Sequence, residues 1–119
     1  MVEGEKGSVG ISKDVVTAIA GIAVSEVDGI ANLRQGDGAF RRGEGMKRYI
    51  DTEVEGDNVK VTVRITAVYG TAIHKVAKQV QTQVKSEIER MTGLRVSGVD
   101  VDVQHLVESD EPLSQEEEG

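Results

Sequence analysis

The fold is decided by the stretch VKVTVRITAVYGTAIHKVAKQVQTQVKSEIERMTGLRVSGVDVDV, residues 59–103. Its first part alternates aliphatic with polar residues, and this period of two predicts a half-exposed strand. Its middle part, residues 71–92, repeats aliphatic residues every three or four positions, which predicts an amphipathic helix that ends at Gly93. Alternating valines return after Gly98, where we expect a bulge to reset the register of another strand.

The residues just upstream extend the strand pattern. Residues 50–54 alternate in the same way, and Glu55-Gly56-Asp57-Asn58 supplies turn-forming residues before residue 59. Two alternating runs joined by such a turn predict an antiparallel hairpin.

The first quarter of the chain predicts another helix, over residues 12–28. Ser12 is a suitable N-cap, and Gly29 stands where a left-handed residue would end the helix. Short apolar segments at residues 8–11 and 30–33 predict two further strands. The predicted apolar stripe of the helix consists of Val15, Val16, Ile19, Ile22, Ala23 and Val27.

These elements predict an α+β fold. Each helix has one apolar face and must bury it, so the simplest packing lays both amphipathic helices on one face of the sheet. The expected architecture is a two-layer α/β sandwich with a mixed, mostly antiparallel sheet. The other face of the sheet is then left to water or to a partner.

Length and charge divide the chain into one domain and a tail. With 119 residues, 38% of them apolar, we expect a single small domain over residues 1–107. Residues 34–46 contain glycines at four positions and are expected to form a flexible loop. Residues 108–119 hold six acidic residues and no base, so this acidic tail is expected to be disordered.

Several classes of function are disfavoured by composition. The chain has no cysteine, which excludes thiol nucleophiles, disulfides and cysteine metal sites. No run approaches the roughly 18 apolar residues of a membrane span, so a cytoplasmic location is expected. Asp100 and Asp102 share one strand face, but two carboxylates fall short of the oxygen ligands that calcium requires. His74 and His105 suggest no catalytic arrangement, so we expect no catalytic residue, no metal and no cofactor.

The candidate interaction residues are an aromatic–arginine cluster and a basic helix face. Phe40 lies beside Arg41 and Arg42 in the glycine-rich loop, and aromatics and arginines are favoured at interaction hot spots. Lys75, Lys78 and Lys85 lie away from the apolar stripe of the helix predicted over residues 71–92. The alternatives are an ordinary solvated loop and an ordinary solvated face. Nucleic acid is not an expected partner, because residues 1–107 are nearly neutral and aromatics make up 3% of the chain.

Two segments resemble a known family. Residues 67–103, AVYGTAIHKVAKQVQTQVKSEIERMTGLRVSGVDVDV, are similar to the most characteristic region of the alkaline-shock and general-stress family of bacterial envelope stress response proteins. Residues 7–30, GSVGISKDVVTAIAGIAVSEVDGI, resemble the beginning of the same family. The features that carry the resemblance are Tyr69-Gly70, the spacing of Ile73, Val76, Val80 and Val84, and Met91-Thr92-Gly93-Leu94.

The resemblance implies a non-enzymatic protein of cell-envelope homeostasis and stress tolerance. It further implies recruitment to the inner face of the membrane through a membrane-anchored protein partner, together with self-association into a homo-oligomer. We therefore expect a scaffold or adaptor that works through protein–protein contacts. The alternatives are a small-ligand-binding or regulatory domain linked to lipid metabolism, and direct binding to an anionic membrane through the basic residues.

Overall fold

The computed structural model describes residues 10–32 and 46–108. Its three strands form one sheet in the order β1-β2-β3. The elements in chain order are α1 (Lys13–Ser25), α2 (Met46–Tyr49), β1 (Ile50–Glu55), β2 (Asn58–Val68), α3 (Ile73–Thr92) and β3 (Arg95–Val107).

The sheet is mixed, and the α+β class is confirmed. β1 and β2 form the predicted antiparallel hairpin, with Ile50 opposite Val63. β2 and β3 pair in parallel over a longer stretch, so the expectation of a mostly antiparallel sheet needs correction. The reason is that α3 runs back along the sheet, and the chain re-enters beside the start of β2. There the Arg95 N–H donates to the Asp57 carbonyl at 2.8 Å. A helical crossover of this kind joins parallel strands.

Helices α1 and α3 pack against one face of the sheet. The inward residues of β2 alternate with outward polar residues, as the sequence pattern predicts. The predicted stripe of α3 is confirmed at Val76, Val80, Val84 and Ile88, which are buried, but not at Met91, which is 57% exposed. The fully enclosed side chains at the centre of this core are Ile30, Ile50, Ile65, Ile88, Val16, Val24, Val59, Val61, Val63, Val80 and Val84.

The predicted stripe of α1 is buried at Val16, Ile19, Ala23 and Val27, but the buried face of the helix is turned away from its other two residues. Ser12 caps it as expected, but Val15 and Ile22 are 47% and 50% exposed. Thr17 and Gly21 are buried in their place. The Thr17 hydroxyl donates to the Thr52 hydroxyl on β1 at 3.0 Å, which satisfies a polar group inside the core.

The loop after α1 lies beside β2, on the same side as β1, next to the part of β2 that β1 does not reach. The predicted strand over residues 30–33 is reduced to one bridge between Ile30 and Ala67. Its neighbours extend the contact, because the Ala31 N–H donates to the Thr66 carbonyl at 2.8 Å. Gly10 and Ile11, the described part of the strand predicted over residues 8–11, are not in a strand.

Gly29 allows this loop to approach α3 closely. α1 ends at Ser25, earlier than predicted, and Gly29 follows in the left-handed region with φ +95°. A Cβ at position 29 would lie 3.0 Å from Cγ2 of Val76. Both the backbone conformation and the available space therefore favour glycine here.

The other predicted breaks are found close to their expected positions. Gly93 ends α3 in the left-handed conformation with φ +78°. A register shift separates the pairs Val59–Val96 and Lys60–Gly98, so a bulge lies at the predicted place. The loop predicted over residues 34–46 lies outside the described residues except for Met46, which begins α2. The tail predicted over residues 108–119 also lies outside them, except for Glu108.

Candidate interaction surface

The first half of the outer edge of β3 is covered by side chains of α3. Gln81 Nε2 donates to the Val99 carbonyl at 3.0 Å. The Val96 N–H donates to Glu89 Oε2 at 2.9 Å. β2 occupies the other edge of β3, so these two backbone groups point away from the sheet. Side chains that satisfy such groups make this part of the edge unavailable to another strand.

The second half of the same edge, Val101–Val107, is the open edge. In a parallel pair, residues whose backbone groups point outward alternate with residues bonded to the neighbouring strand. Val101 and Val103 follow Val99 at this period of two, so their N–H and C=O groups also point outward. The Val107 carbonyl accepts from the Tyr69 N–H on the β2 side, which places the outward groups at Leu106. Within the described residues no strand pairs with this edge.

The open edge carries apolar side chains that the helices do not cover. Val103 is 38% exposed and Leu106 is 51% exposed. The cause is a difference in length, because the 20 residues of α3 span about 30 Å at 1.5 Å per residue. The 13 residues of β3 span about 43 Å at 3.3 Å per residue. The strand therefore extends beyond the layer that covers its beginning.

A second bulge lies within the open edge. The register shifts between the pairs Ile65–Val103 and Thr66–His105, so Gln104 is an extra residue in β3. As a result Leu106 points to the same face of the sheet as Val101 and Val103, although it is an odd number of residues away. His105 falls on the opposite face with Asp102, the face that bears the charged residues of β2.

That charged face alternates acids and bases across the strands. Lys60 Nζ lies 3.7 Å from Asp100 Oδ2, and Arg64 donates to Asp51 on β1. Asp102 stands opposite Arg64 in the register of β2 and β3. Asp100 and Asp102 therefore face basic residues. Among residues 10–32 and 46–108, no group of three or more acidic or histidine side chains clusters as a metal site would require.

An open cleft of about 630 Å³ lies between the end of α1 and the first turns of α3. Its lining mixes carboxylates, ammonium groups and amides, and Gln83 Nε2 donates to Glu26 Oε1 across it at 3.3 Å. Polar groups of both signs suit a charged ligand better than an apolar one. The lining residues are Glu26, Val27, Asp28, Lys75, Lys78, Gln79, Thr82 and Gln83.

The structure separates the predicted interaction residues. Lys75 and Lys78 line the cleft, and no carboxylate of the described ranges lies within ion-pair distance of either. Lys85 lies elsewhere on α3, with Nζ 3.6 Å from Glu89 Oε2. Phe40, Arg41 and Arg42 lie outside the described residues.

The carboxyl of Glu89, which accepts a hydrogen bond from the covered half of the β3 edge, makes the stability of the fold depend on pH. The hydrogen bond from the Val96 N–H holds the pKa of the Glu89 carboxyl below its ordinary value of 4.5, with help from Lys85 and against partial burial. A carboxyl whose pKa is lowered by folding adds stability above that ordinary value, and this contribution is lost as pH falls through the lowered pKa. We therefore expect Glu89→Gln to lower the melting temperature at pH 7.

The difference between Glu89→Gln and the unmodified protein should shrink below pH 4.5, because a protonated Glu89 resembles glutamine. Thermal melts from pH 3 to pH 7 measure it. Glu87→Gln is a matched control, since Glu87 lies on the same helix and pairs with Arg90 instead of the β3 backbone. An equal effect of both substitutions at every pH would contradict this role of Glu89.

Sequence reasoning missed the residues that form the edge. Gln81 and Glu89 are ordinary surface residues of an amphipathic helix, and nothing in their spacing indicates contacts with a strand backbone. Val103 was detectable, because the alternation of β3 continues to this residue, whereas Leu106 was not, because the bulge at Gln104 interrupts the alternation. A comparison of predicted lengths would have located the exposed end.

No helix in residues 10–32 and 46–108 combines the length and the apolar character needed to cross a bilayer. The fold and its edge define a small α+β protein whose last strand offers a pairing edge. Residues 1–108 match the model of the alkaline shock protein 23 family, which is described by a cell envelope-related function. The chain belongs to this family, so the resemblance seen in the sequence is confirmed.

Three bacterial relatives support the assignment. The uncharacterized protein YqhY of Bacillus subtilis is 30% identical over 105 residues, which cover 82% of this chain and 75% of that protein. The uncharacterized protein YloU of the same organism is 32% identical over 104 residues, 82% of this chain and 87% of that protein. An uncharacterized protein of Streptococcus pyogenes is 28% identical over 109 residues, 89% and 84% of the two chains. No solved structure matches the chain.

Proposed function

We propose that the protein is a non-enzymatic, self-associating scaffold or adaptor of the cell envelope. It acts in the cytoplasm through protein–protein contacts, and a membrane-anchored protein partner holds it at the inner face of the membrane. Membership of a family with a cell envelope-related function supports the setting. The open edge of β3 supports the mode of action.

The open edge is the observation that carries the proposal. A strand edge with unpaired backbone groups can add a strand from another chain. Here the edge also bears Val103 and Leu106, whose exposed apolar surface would be buried by pairing. Because Gln81 and Glu89 satisfy the first half of the edge, pairing is confined to a short segment.

Proline at position 103 tests the proposal. The Val103 N–H points away from β2, so proline removes a donor from the open edge and leaves the hydrogen bonds of the sheet in place. We expect the unmodified protein to associate with increasing concentration in sedimentation velocity experiments. Val103→Pro should remain monomeric while its circular dichroism spectrum is retained.

Val103→Thr is the matched control. Threonine keeps the backbone N–H and the β-branched shape that suits a strand, but it has a polar hydroxyl. We expect it to associate more weakly than the unmodified protein and more strongly than Val103→Pro. A folded Val103→Pro that associates as well as the unmodified protein would count against the open edge. A protein that stays monomeric throughout would count against self-association itself.

The cleft supports a second candidate function, a small-ligand-binding or regulatory domain linked to lipid metabolism. Its volume of about 630 Å³ is within the range of small-molecule sites, and Lys75 and Lys78 provide two positive charges. A ligand that binds the folded state raises the melting temperature. A thermal-shift screen with nucleotides, acyl carriers and divalent cations tests this function, with Lys75→Gln/Lys78→Gln as the comparison.

Direct contact with anionic lipid through Lys75, Lys78, Lys85, Arg41 and Arg42 is an alternative to recruitment by a protein. Each basic residue near an anionic bilayer contributes about 1 kcal/mol of attraction. Sedimentation with phosphatidylglycerol vesicles in the absence of other proteins distinguishes the two routes. Recruitment through a partner predicts that the protein alone stays in the supernatant.

A further inference from the structure

We propose that two copies of the chain pair their open edges in antiparallel fashion, with Asp102 of each copy opposite His105 of the other. This inference rests on the proposed self-association and adds its geometry. A two-fold axis, the commonest symmetry of soluble oligomers, brings the same surface of both copies together. When that surface is a strand edge, residue i of one copy faces residue j of the other, and the reverse also holds.

The faces of the sheet limit which residues can stand opposite one another. Paired residues in neighbouring strands point to the same face, and two residues whose backbone groups both point outward exchange two hydrogen bonds. Val101 and Leu106 meet both conditions. Their backbone N–H and C=O groups point away from β2, and their side chains lie on the face of the sheet that the helices pack against. With Gln104 counted as an extra, unpaired residue, an axis at Val103 places Val101 of one copy opposite Leu106 of the second copy and the two Val103 residues opposite each other.

The same axis also brings complementary residues together on the charged face of the sheet. Asp102 and His105 lie on the charged face, and the axis places each Asp102 opposite His105 of the second copy. An imidazole N–H can donate to a carboxylate at the distance between paired strand residues. The arrangement occurs twice because of the symmetry. The Gln104 bulge makes this register possible, because without the extra residue the side chains of Leu106 and Val101 would point to opposite faces of the sheet.

Other registers are less favourable. An axis at Asp102 places Val101 opposite Val103 of the second copy, but it also brings the two Asp102 carboxylates together. An axis at Val101 brings Asp100 opposite Asp102 of the second copy, and it requires Val99, which Gln81 covers. Like charges directly opposite one another destabilise strand pairing. A register with Val103 opposite Leu106 of the second copy leaves Asp102 facing the side chain of Val107 and gains no polar pair.

A charge exchange tests this register. Asp102→Lys places lysine opposite His105 of the second copy, and His105→Glu places glutamate opposite Asp102. Asp102→Lys should weaken the dimer about 2- to 30-fold, because two pairs are lost at about 0.2–1 kcal/mol each. His105→Glu should weaken it further, because it also places glutamate opposite Asp102. The double variant places lysine opposite glutamate twice and should return to within about 3-fold of the unmodified protein. Sedimentation equilibrium measures the dissociation constants.

Asp100→Lys is the control, because Asp100 lies on the same face but outside the segment Val101–Leu106. It should change the dissociation constant less than Asp102→Lys does. Circular dichroism melts verify that every variant is folded. If the double variant is as weak as the single ones while Val103→Pro still abolishes association, the edge pairs in another register. If Val103→Pro has no effect either, the proposed self-association through the edge fails as well.

Discussion

Replacement of Ile88 by alanine is expected to lower the free energy of unfolding by about 2–5 kcal/mol, the range for isoleucine to alanine in a packed core. Ile88 is 0% exposed and belongs to the α3 stripe that packs against the sheet. The loss combines the apolar surface that is no longer buried with the cavity left behind. Chemical denaturation followed by circular dichroism measures it.

Met91→Ala is the matched control for this substitution. Met91 lies one turn further along α3, but it is 57% exposed. Removal of its side chain should therefore change the free energy of unfolding by less than about 0.5 kcal/mol. Similar effects at the two positions would contradict the assigned orientation of α3.

Asn32→Ala is expected to lower the free energy of unfolding by about 1–3 kcal/mol. The Asn32 side chain accepts from the Thr66 N–H at 2.9 Å and donates to the Arg64 carbonyl at 3.1 Å. It thus takes the place of a neighbouring strand along β2, beyond the point where β1 ends. Asn32 and Thr66 are both buried, so water replaces the lost partner poorly.

Hydrogen exchange tests the role of Asn32 directly. The Thr66 amide should exchange faster in Asn32→Ala, whereas amides of β2 that pair with β1 should be protected as before. Asn58→Ala is a suitable control, because Asn58 is exposed at the start of β2. A Thr66 amide that is equally protected in Asn32→Ala would show that Asn32 is not its partner.

Periodicity alone predicted the parts of the fold that have a strong contrast between faces. In α3 the aliphatic residues form one stripe among charged and amide residues, so only one orientation buries them. In β2 the alternation is equally clear. Gly93 was also predictable, because a left-handed residue after a helix strongly favours glycine.

The orientation of α1 was not predictable in the same way. Between Lys13 and Ser25 the helix has few polar residues, so apolar side chains occur on all sides of it. The stripe that contained Val15 and Ile22 therefore had no clear advantage. Packing decides the outcome: Thr17 and Gly21 are buried together with Val16, Ile19 and Val24, whereas Val15 and Ile22 remain outside.

The place of β3 in the sheet was not predictable from the sequence, because it depends on which strand β3 pairs with in the folded protein. The alternating valines predict a strand, but alternation does not say which neighbour it joins or in which direction. The edge contacts from Gln81 and Glu89 appear only when α3 is placed over β3. For the same reason the candidate interaction residues chosen by charge, such as Lys75 and Lys85, did not include Val103 or Leu106.

The parallel pairing of β3 has a consequence for protein synthesis. β3 is the last of the described elements to leave the ribosome, and β2, with which it pairs, and α3 both precede it in the chain. A nascent chain therefore lacks the open edge until β3 has been synthesised. The proposed pairing of two open edges is therefore available only to chains whose β3 has already joined β2.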